Sequence, residues 1–393
     1  MPHTFTRSRA TWLIYLLLGF YAYCLNIFGP ITPFLKNELD LTYTVSSFHF
    51  SAFALGMIAA GLIGHAVIQR IGRWWAAWVA VFGMSLSAGL LIGGQTPVLT
   101  ISASFLMGLI GSLLLSVVPS VLADEHGAQT AKALSEANVI ASLISSAAPV
   151  LVGWLAASSL GWRTALLLTL AAALILRLAF NGVQLASAAV TEEVTQSKQR
   201  LPRRFWVYWL ALMFGVSVEF CMIFWSADYL ERELQLPRTG AAQAVSLFLA
   251  GMIVGRFASS RLVQRFSARQ VAGASTFLGI FGFLLYWVSN SPVQSLVGLA
   301  VTGLGVAGLY PMCISMAIAA SNGRDAQAGA RTTLASGVAI LVLPLVLGRL
   351  ADLAGLKTAF GVVGLVFMVL LAMIFTTQRI QRAVQTSPFN AEQ

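Results

Sequence analysis

Polar and apolar positions alternate along the chain in long blocks. Uninterrupted apolar runs fall at about 11–34, 44–68, 75–94, 97–122, 132–155 and 162–186. After a polar stretch from Thr191 to Arg204, six more follow at about 205–230, 240–263, 270–289, 292–319, 331–350 and 356–377. Each run is near the ~20 residues that a helix needs to cross the hydrocarbon of a bilayer. None shows the period-two alternation of a barrel strand, and backbone polar groups in lipid are satisfied only within helices or closed barrels. The pattern predicts an all-α polytopic membrane protein with twelve transmembrane helices. It further predicts an N-terminal six-helix bundle over 1–190, a cytoplasmic linker over 191–204 and a C-terminal six-helix bundle with a short tail over 205–393.

Composition agrees. The 393 residues are 58% hydrophobic and 10% charged, against roughly 25% charged for an average soluble domain. A net charge of +10 suggests nucleic acid until its distribution is examined. With the N-terminus in the cytoplasm, 17 Lys and Arg fall on that side and six on the other, namely Lys36, Arg163, Arg232, Arg238, Arg349 and Lys357. That bias is the positive-inside rule, so the basic excess orients the chain, puts both termini in the cytoplasm and predicts no nucleic-acid partner. Arg7 and Arg9 before an apolar run resemble a signal peptide, but residues 11–35 are too long for its apolar core, which predicts a retained span. Trp74, Trp75, Trp78, Phe205, Trp206 and Trp209 sit where an interfacial aromatic belt belongs.

Cys24, Cys221 and Cys313 all lie inside apolar runs and form neither a disulfide framework nor a metal-ligand spacing. No glycine loop for phosphate is visible, so neither ATP drive nor any other cofactor is expected. A membrane enzyme needs a convergent nucleophile or metal set, and a receptor needs a sizeable output domain; the sequence offers neither.

The chain repeats itself at an offset of 195 residues. Phe34–Thr44 (FLKNELDLTYT) falls on Tyr229–Thr239 (YLERELQLPRT). In the same register Ser51, Phe53, Gly56, Gln69 and Arg70 recur as Ser246, Phe248, Gly251, Gln264 and Arg265, and Gly108, Pro149 and Gly153 as Gly303, Pro344 and Gly348. An offset carrying six runs, an even number, gives both halves the same orientation about an axis along the membrane normal.

With this repeat, the helix count and the basic central loop, the chain resembles the major facilitator superfamily over nearly its whole length. The family's basic loop after the second helix is matched by Gln69-Arg70-Ile71-Gly72-Arg73, with Gln in place of the acid. The second copy, Gln264 to Arg269, is weaker, and Gly161-Trp162-Arg163 looks like the family's junction after the fifth helix. Ser104 stands where many proton-driven members carry arginine, and the helix-5 signature of antiporters is present only in part, as Ala148 to Gly153. The resemblance implies alternating access to a midplane cavity lined by runs 1, 4, 7 and 10, in a functional monomer of the bacterial inner membrane.

Ionisable groups at mid-membrane are costly and by default mark function. Glu219 in run 7 and Arg256 in run 8 are the two that stand out, at depths that allow them to pair in one state and separate in another. Glu219 is the expected proton-coupling carboxylate and Arg256 the expected site for a substrate anion; a permanent structural pair is the alternative. Met222, Ile223 and Ser226 share the Glu219 face, with Trp225 nearby, while run 1 carries Tyr21, Cys24 and Phe28 at helical spacing and Asn26 as its one amide. Together with Tyr310 they form the candidate pocket for an amphipathic organic solute; ordinary packing explains each residue singly as well. Ser112, Ser116 and His49 carry weaker claims. Gln69, Arg70, Arg73, Asp124, Glu125 and Arg331 are the candidate gating residues, with His126, Lys132, Glu136 and Arg324 completing an expected inner network. The reading is a proton-coupled transporter of a small organic solute, with the lipid bilayer as its other partner; proton-driven efflux of drugs or amphipathic metabolites and passive facilitation remain alternatives.

Overall fold

The computed structural model describes residues 5–185 and 200–385, so most of the linker and the end of the tail lie outside the described residues. Among the described residues there are helices and no strands. In chain order they are α1 (Arg9–Asn26), α2 (Phe28–Glu38), α3 (Tyr43–Gly93), α4 (Pro97–Gly111), α5 (Leu113–His126), α6 (Thr130–Ala157), α7 (Thr164–Ala179), α8 (Arg203–Glu233), α9 (Arg238–Leu262), α10 (Ala268–Val288), α11 (Pro292–Val306), α12 (Leu309–Ala319), α13 (Asp325–Ala354) and α14 (Leu356–Gln385). Among the described residues nine helical stretches are long and apolar enough to cross a membrane, and Thr164–Ala179 is apolar but shorter. Two of the nine, Tyr43–Gly93 and Pro97–Ala157, contain 51 and 61 residues. At about 1.5 Å per residue each is more than twice the ~30 Å of bilayer hydrocarbon.

The breaks follow local chemistry. Gly72 interrupts α3 with φ 80° and ψ 157°, a conformation open to glycine at little cost, and separates the second and third apolar runs. Thr42 caps α3 by accepting from the Val45 amide, and Ser267 with Gln270 forms a capping box at the start of α10. Pro97 and Pro292, in the first turns of α4 and α11, occupy positions where a missing N–H costs nothing.

The sequence repeat is legible in atomic contacts. A Cβ on Gly108 would lie 2.1 Å from the Phe53 carbonyl oxygen, and one on Gly303 would lie 2.1 Å from that of Phe248, two contacts related by the 195-residue offset. Gly153 on α6 packs on Thr239 and Gln243 of α9, and its counterpart Gly348 on α13 packs on Tyr43 and Ser47 of α3. These α6–α9 and α3–α13 seams join residues 5–185 to 200–385. Both depend on small residues that let helices approach closely where lipid provides no hydrophobic drive. The aromatic belt is mixed: Trp75 and Trp206 are exposed, while Trp78 and Phe205 are buried in packing.

Candidate functional site

Glu219 interrupts the apolar body of α8, and Arg256 enters from α9. Their side chains face each other at 3.5 Å between Arg256 Nη2 and Glu219 Oε1, with the arginine 43% and the carboxylate 13% exposed. Arg256 Nη1 also donates to Ser142 Oγ on α6 at 2.8 Å, so one guanidinium spans the two halves. Ser142 is held in place by donating to the Asn138 carbonyl in the preceding turn. Tyr310 on α12 lies beside Ser336 of α13, within electrostatic range of Glu219 and Arg256, and its ring is exposed. The structure thus brings Glu219, Arg256 and Tyr310 together at an accessible point between the halves. A guanidinium with spare donors, a carboxylate and a phenol can bind an anion and exchange a proton beside it.

The other candidates of the solute pocket lie elsewhere. Met222, Ile223, Trp225 and Ser226 are all buried on the next two turns of α8, with Phe28 of α2. Trp225 donates to the Pro344 carbonyl at 3.2 Å and meets Phe50 edge-on, while Phe224 stacks on Phe50 at 4.1 Å. This aromatic seam closes the interface between the halves at one end. Tyr21 is buried against Ser112 Oγ (3.4 Å) and Phe53, and Cys24 is buried beneath it. Asn26 ends α1, and its buried Oδ1 has no partner among the described residues.

Beyond the seam lies a charge cluster that the sequence reading did not single out. Lys36 Nζ meets Asp228 Oδ1 at 2.5 Å, with the two side chains 2% and 1% exposed. The ammonium also sits 3.8 Å from the Tyr43 ring centroid. Arg232, one turn after Asp228, reaches Asn37 at 3.5 Å, and these two positions are equivalent in the repeat. Asp352 of α13 accepts from the Tyr43 and Thr44 amides at 2.8 Å each, capping α3 from the other half. The sequence signal was the charge within the repeated FLKNELDLTYT and YLERELQLPRT segments. Counted only as outer-loop charge, Lys36 had no visible partner.

The opposite end is tied within the first half. Arg73 is buried and pairs with Asp124. Glu125 accepts from Ser8 Oγ (2.6 Å) and Thr11, His126 meets Thr11, and Arg7 forks onto Glu136 at 2.7 and 2.8 Å. That fork raises the pKa of the exposed Arg7 guanidinium above its ordinary value. Lys132 lies over the Phe5 ring. Gln69 and Arg70 are exposed. Arg324 donates to the Arg200 carbonyl, Trp209 donates to that of Arg331, and the Arg331 side chain is exposed. Of the acids of the expected inner network, Glu125 and Glu136 therefore bind the Phe5–Thr11 segment and Asp124 binds Arg73, and among the described residues neither Arg324 nor Arg331 pairs with them. His49 is buried between Ser46 and Thr100 on α4, as a packing residue. Among the described residues no group of His, Cys, Asp and Glu is placed to hold a metal ion.

Two halves repeating one set of contacts, joined at two seams and holding an acid and a base between them, define a polytopic membrane protein with an internal polar site. The model of the Major Facilitator Superfamily matches residues 12–232 and 207–391, and the chain belongs to that superfamily. Among curated relatives, an uncharacterized transporter of Sinorhizobium fredii, y4wD, is 30% identical over 150 residues, 38% of this chain and 40% of the relative. An uncharacterized MFS-type transporter of Yersinia pestis is 24% identical over 171 residues, 43% of this chain and 44% of the relative. The chain thus spans less than half the length of the curated relatives it matches. Among solved structures, a bacterial homolog of the human lysosomal transporter Spinster, inward-facing and occupied, superposes with a TM-score of 0.77 at 15% identity, covering 95% of this chain and 97% of that one. The nucleoside transporter NupG gives 0.71 at 13% identity over 93% and 98%. FucP in the outward conformation gives 0.60 at 18% over 93% and 98%.

Proposed function

We propose that the chain is a secondary transporter that moves a small organic anion across a bacterial inner membrane together with protons. In this reading it crosses the membrane twelve times with both termini in the cytoplasm. Residues 1–190 and 205–393 act as two bundles that take turns sealing a shared chamber. The observation that carries the proposal is the Glu219–Arg256 pair, accessible on one side and bridged to Ser142 of the other half. The packed outer seam fits an inward-open resting state, and the likeness to an inward-facing Spinster homolog supports it. FucP is a fucose:proton symporter and NupG a nucleoside transporter, which supports a small organic solute and proton coupling here.

The chemistry follows from the pair. A solute anion competes with the Glu219 carboxylate for Arg256, and a proton on Glu219 removes that competition. Proton and anion therefore favour each other's binding, which is symport by linkage. The loaded site carries no uncompensated charge, which lowers the cost of enclosing it between the bundles. Met222 and Trp225 border the site on the sealed side and become its wall once the outer seam parts.

The test is transport by the purified chain in proteoliposomes, with a metabolite mixture outside and an imposed pH gradient. Anions are expected to accumulate with protons. Glu219→Gln should abolish gradient-driven accumulation while sparing solute exchange, and Arg256→Gln should abolish both. Unchanged accumulation by Glu219→Gln would remove it from the coupling. Proton-driven loss of preloaded solute would establish the efflux reading instead.

A further inference from the structure

A cavity opens at the inner end of the second half, away from the Glu219 site. It measures about 760 Å³ and lies between the starts of α8 and α10 and the end of α12. Arg203, Arg204 and Arg269 line it with Tyr208, Ala268 and Ala319, and none of its lining residues is Asp or Glu. Arg269 Nη2 donates to Tyr208 Oη at 2.7 Å, while its buried Nε has no hydrogen-bond partner among the described residues. Pro202, the residue before α8, provides no side-chain cap, so the amides of the first turn of α8 are also unclaimed by a cap.

The repeat explains both the space and the charge. Ala268 and Ala319 stand 195 residues after Arg73 and Asp124, the buried ion pair of the first half. Where the first half fills this corner with a guanidinium and a carboxylate, the second has two methyl groups and a cavity. The surroundings changed in the other direction: Arg203 and Arg269 replace Ser8 and Trp74, and Arg204 matches Arg9. Base has accumulated, and no acid among the described residues lines the cavity to meet it.

We infer that this cavity is a phosphate site, seating a phosphate or phosphodiester group among Arg203, Arg204 and Arg269. Guanidinium groups match phosphate oxygens in forked pairs, and a helix N-terminus adds its own field. Met316 and Ala320 give the cavity an apolar wall, and Trp206 and Phe266 are exposed nearby. Basic pockets of this kind at the cytoplasmic face of membrane helices suit anionic lipid headgroups, and free phosphate shares the chemistry. The site does not depend on the roles of Glu219 and Arg256.

The experiment uses the purified full-length chain in detergent. Native mass spectrometry would follow retention of added phosphatidylglycerol against phosphatidylcholine, and intrinsic tryptophan fluorescence would follow titration with inorganic phosphate. Phosphatidylglycerol is expected to be preferred, with about a fivefold loss of affinity for each arginine removed in Arg203→Gln and Arg269→Gln. Ala319→Asp, which returns the first half's carboxylate to the corner, should abolish binding while leaving the thermal transition in place. Saturable phosphate binding with no lipid preference, lost in the same variants, would assign the site to the free anion and still support it. Equal retention of both lipids with no phosphate response would overturn the proposal, as would unaltered binding in Ala319→Asp and in the arginine double variant. Binding that appears only after Glu192 and Glu193 are changed to Gln would hand the cavity to the chain's own acids and overturn it as well.

Discussion

Asp228→Asn is the most informative single change in the outer seal. It leaves the Lys36 ammonium, 2% exposed, without the carboxylate that meets it at 2.5 Å. Removing one partner of a buried ion pair costs about 3–5 kcal/mol, and an amide oxygen that still accepts puts this case near the lower figure. The Tyr43 ring contact is present before and after the change and offsets nothing. In the proposed cycle the whole cost falls on the sealed state, because parting α2 from α8 returns Lys36 to water. At about 1.4 kcal/mol per factor of ten, 3 kcal/mol shifts the equilibrium roughly a hundredfold toward the outward-open state. Ser47, buried under Gly348 on the α3–α13 seam, makes a suitable reporter as Ser47→Cys, since the three native cysteines are themselves buried. Labelling of that thiol from outside by an impermeant maleimide should accelerate in Asp228→Asn in proportion to the open population. The double variant Lys36→Met/Asp228→Leu should label as slowly as the parent, because an apolar pair costs the seal little. An unchanged rate in Asp228→Asn, or equal acceleration in the double variant, would refute the argument that an unpaired charge drives the opening.

Further tests address separate parts of the structure. Gly108→Val and Gly303→Val should lower the thermal transition to a similar extent, by about 1–3 kcal/mol or more each, since both drive a side chain into a facing carbonyl. Gly61→Ala, with nothing within 4 Å, should raise it slightly, and fluorescence-monitored melting in detergent separates the two outcomes. Ser142→Ala removes one hydrogen bond from Arg256, and solute KM measured in proteoliposomes should rise about fivefold, well short of the loss in Arg256→Gln. Arg7→Ala should leave melting unchanged but speed hydrogen exchange across Phe5–Thr11, because the fork to Glu136 is exposed yet tethers that segment.

The helical class and the repeat were legible because they are written in hydrophobic blocks and a single register. Gly108 and Gly303 show how far this reaches: an offset found by sliding letters is matched by equal contacts in space. The site was legible in part. Glu219 and Arg256 stand out because charge within an apolar run is costly wherever it points. The aromatic candidates of α8 were harder, since spacing gives the face of a helix but not which end of a two-state interface is closed. Met222, Ile223 and Ser226 thus share a face with Glu219 while being buried beside the seam. Lys36 and Asp228 escaped notice because they lie 192 residues apart, and each alone passes for a loop or helix-end charge. Glu125 and Glu136 went to Ser8, Thr11 and Arg7, partners in a segment whose only apparent task was topology.

The near-contact of Asn37 with Arg232 has a historical meaning. In a dimer of identical subunits, a residue on the twofold meets only itself, so base faces base and no complementary pair can arise there. Asn37 opposite Arg232, an amide and a guanidinium at one repeat position, is an arrangement closed to identical subunits and open to halves whose sequences have diverged. Divergence of the two copies thus allowed the contact at the pseudo-twofold to become lopsided, with a donor on one side and an acceptor on the other.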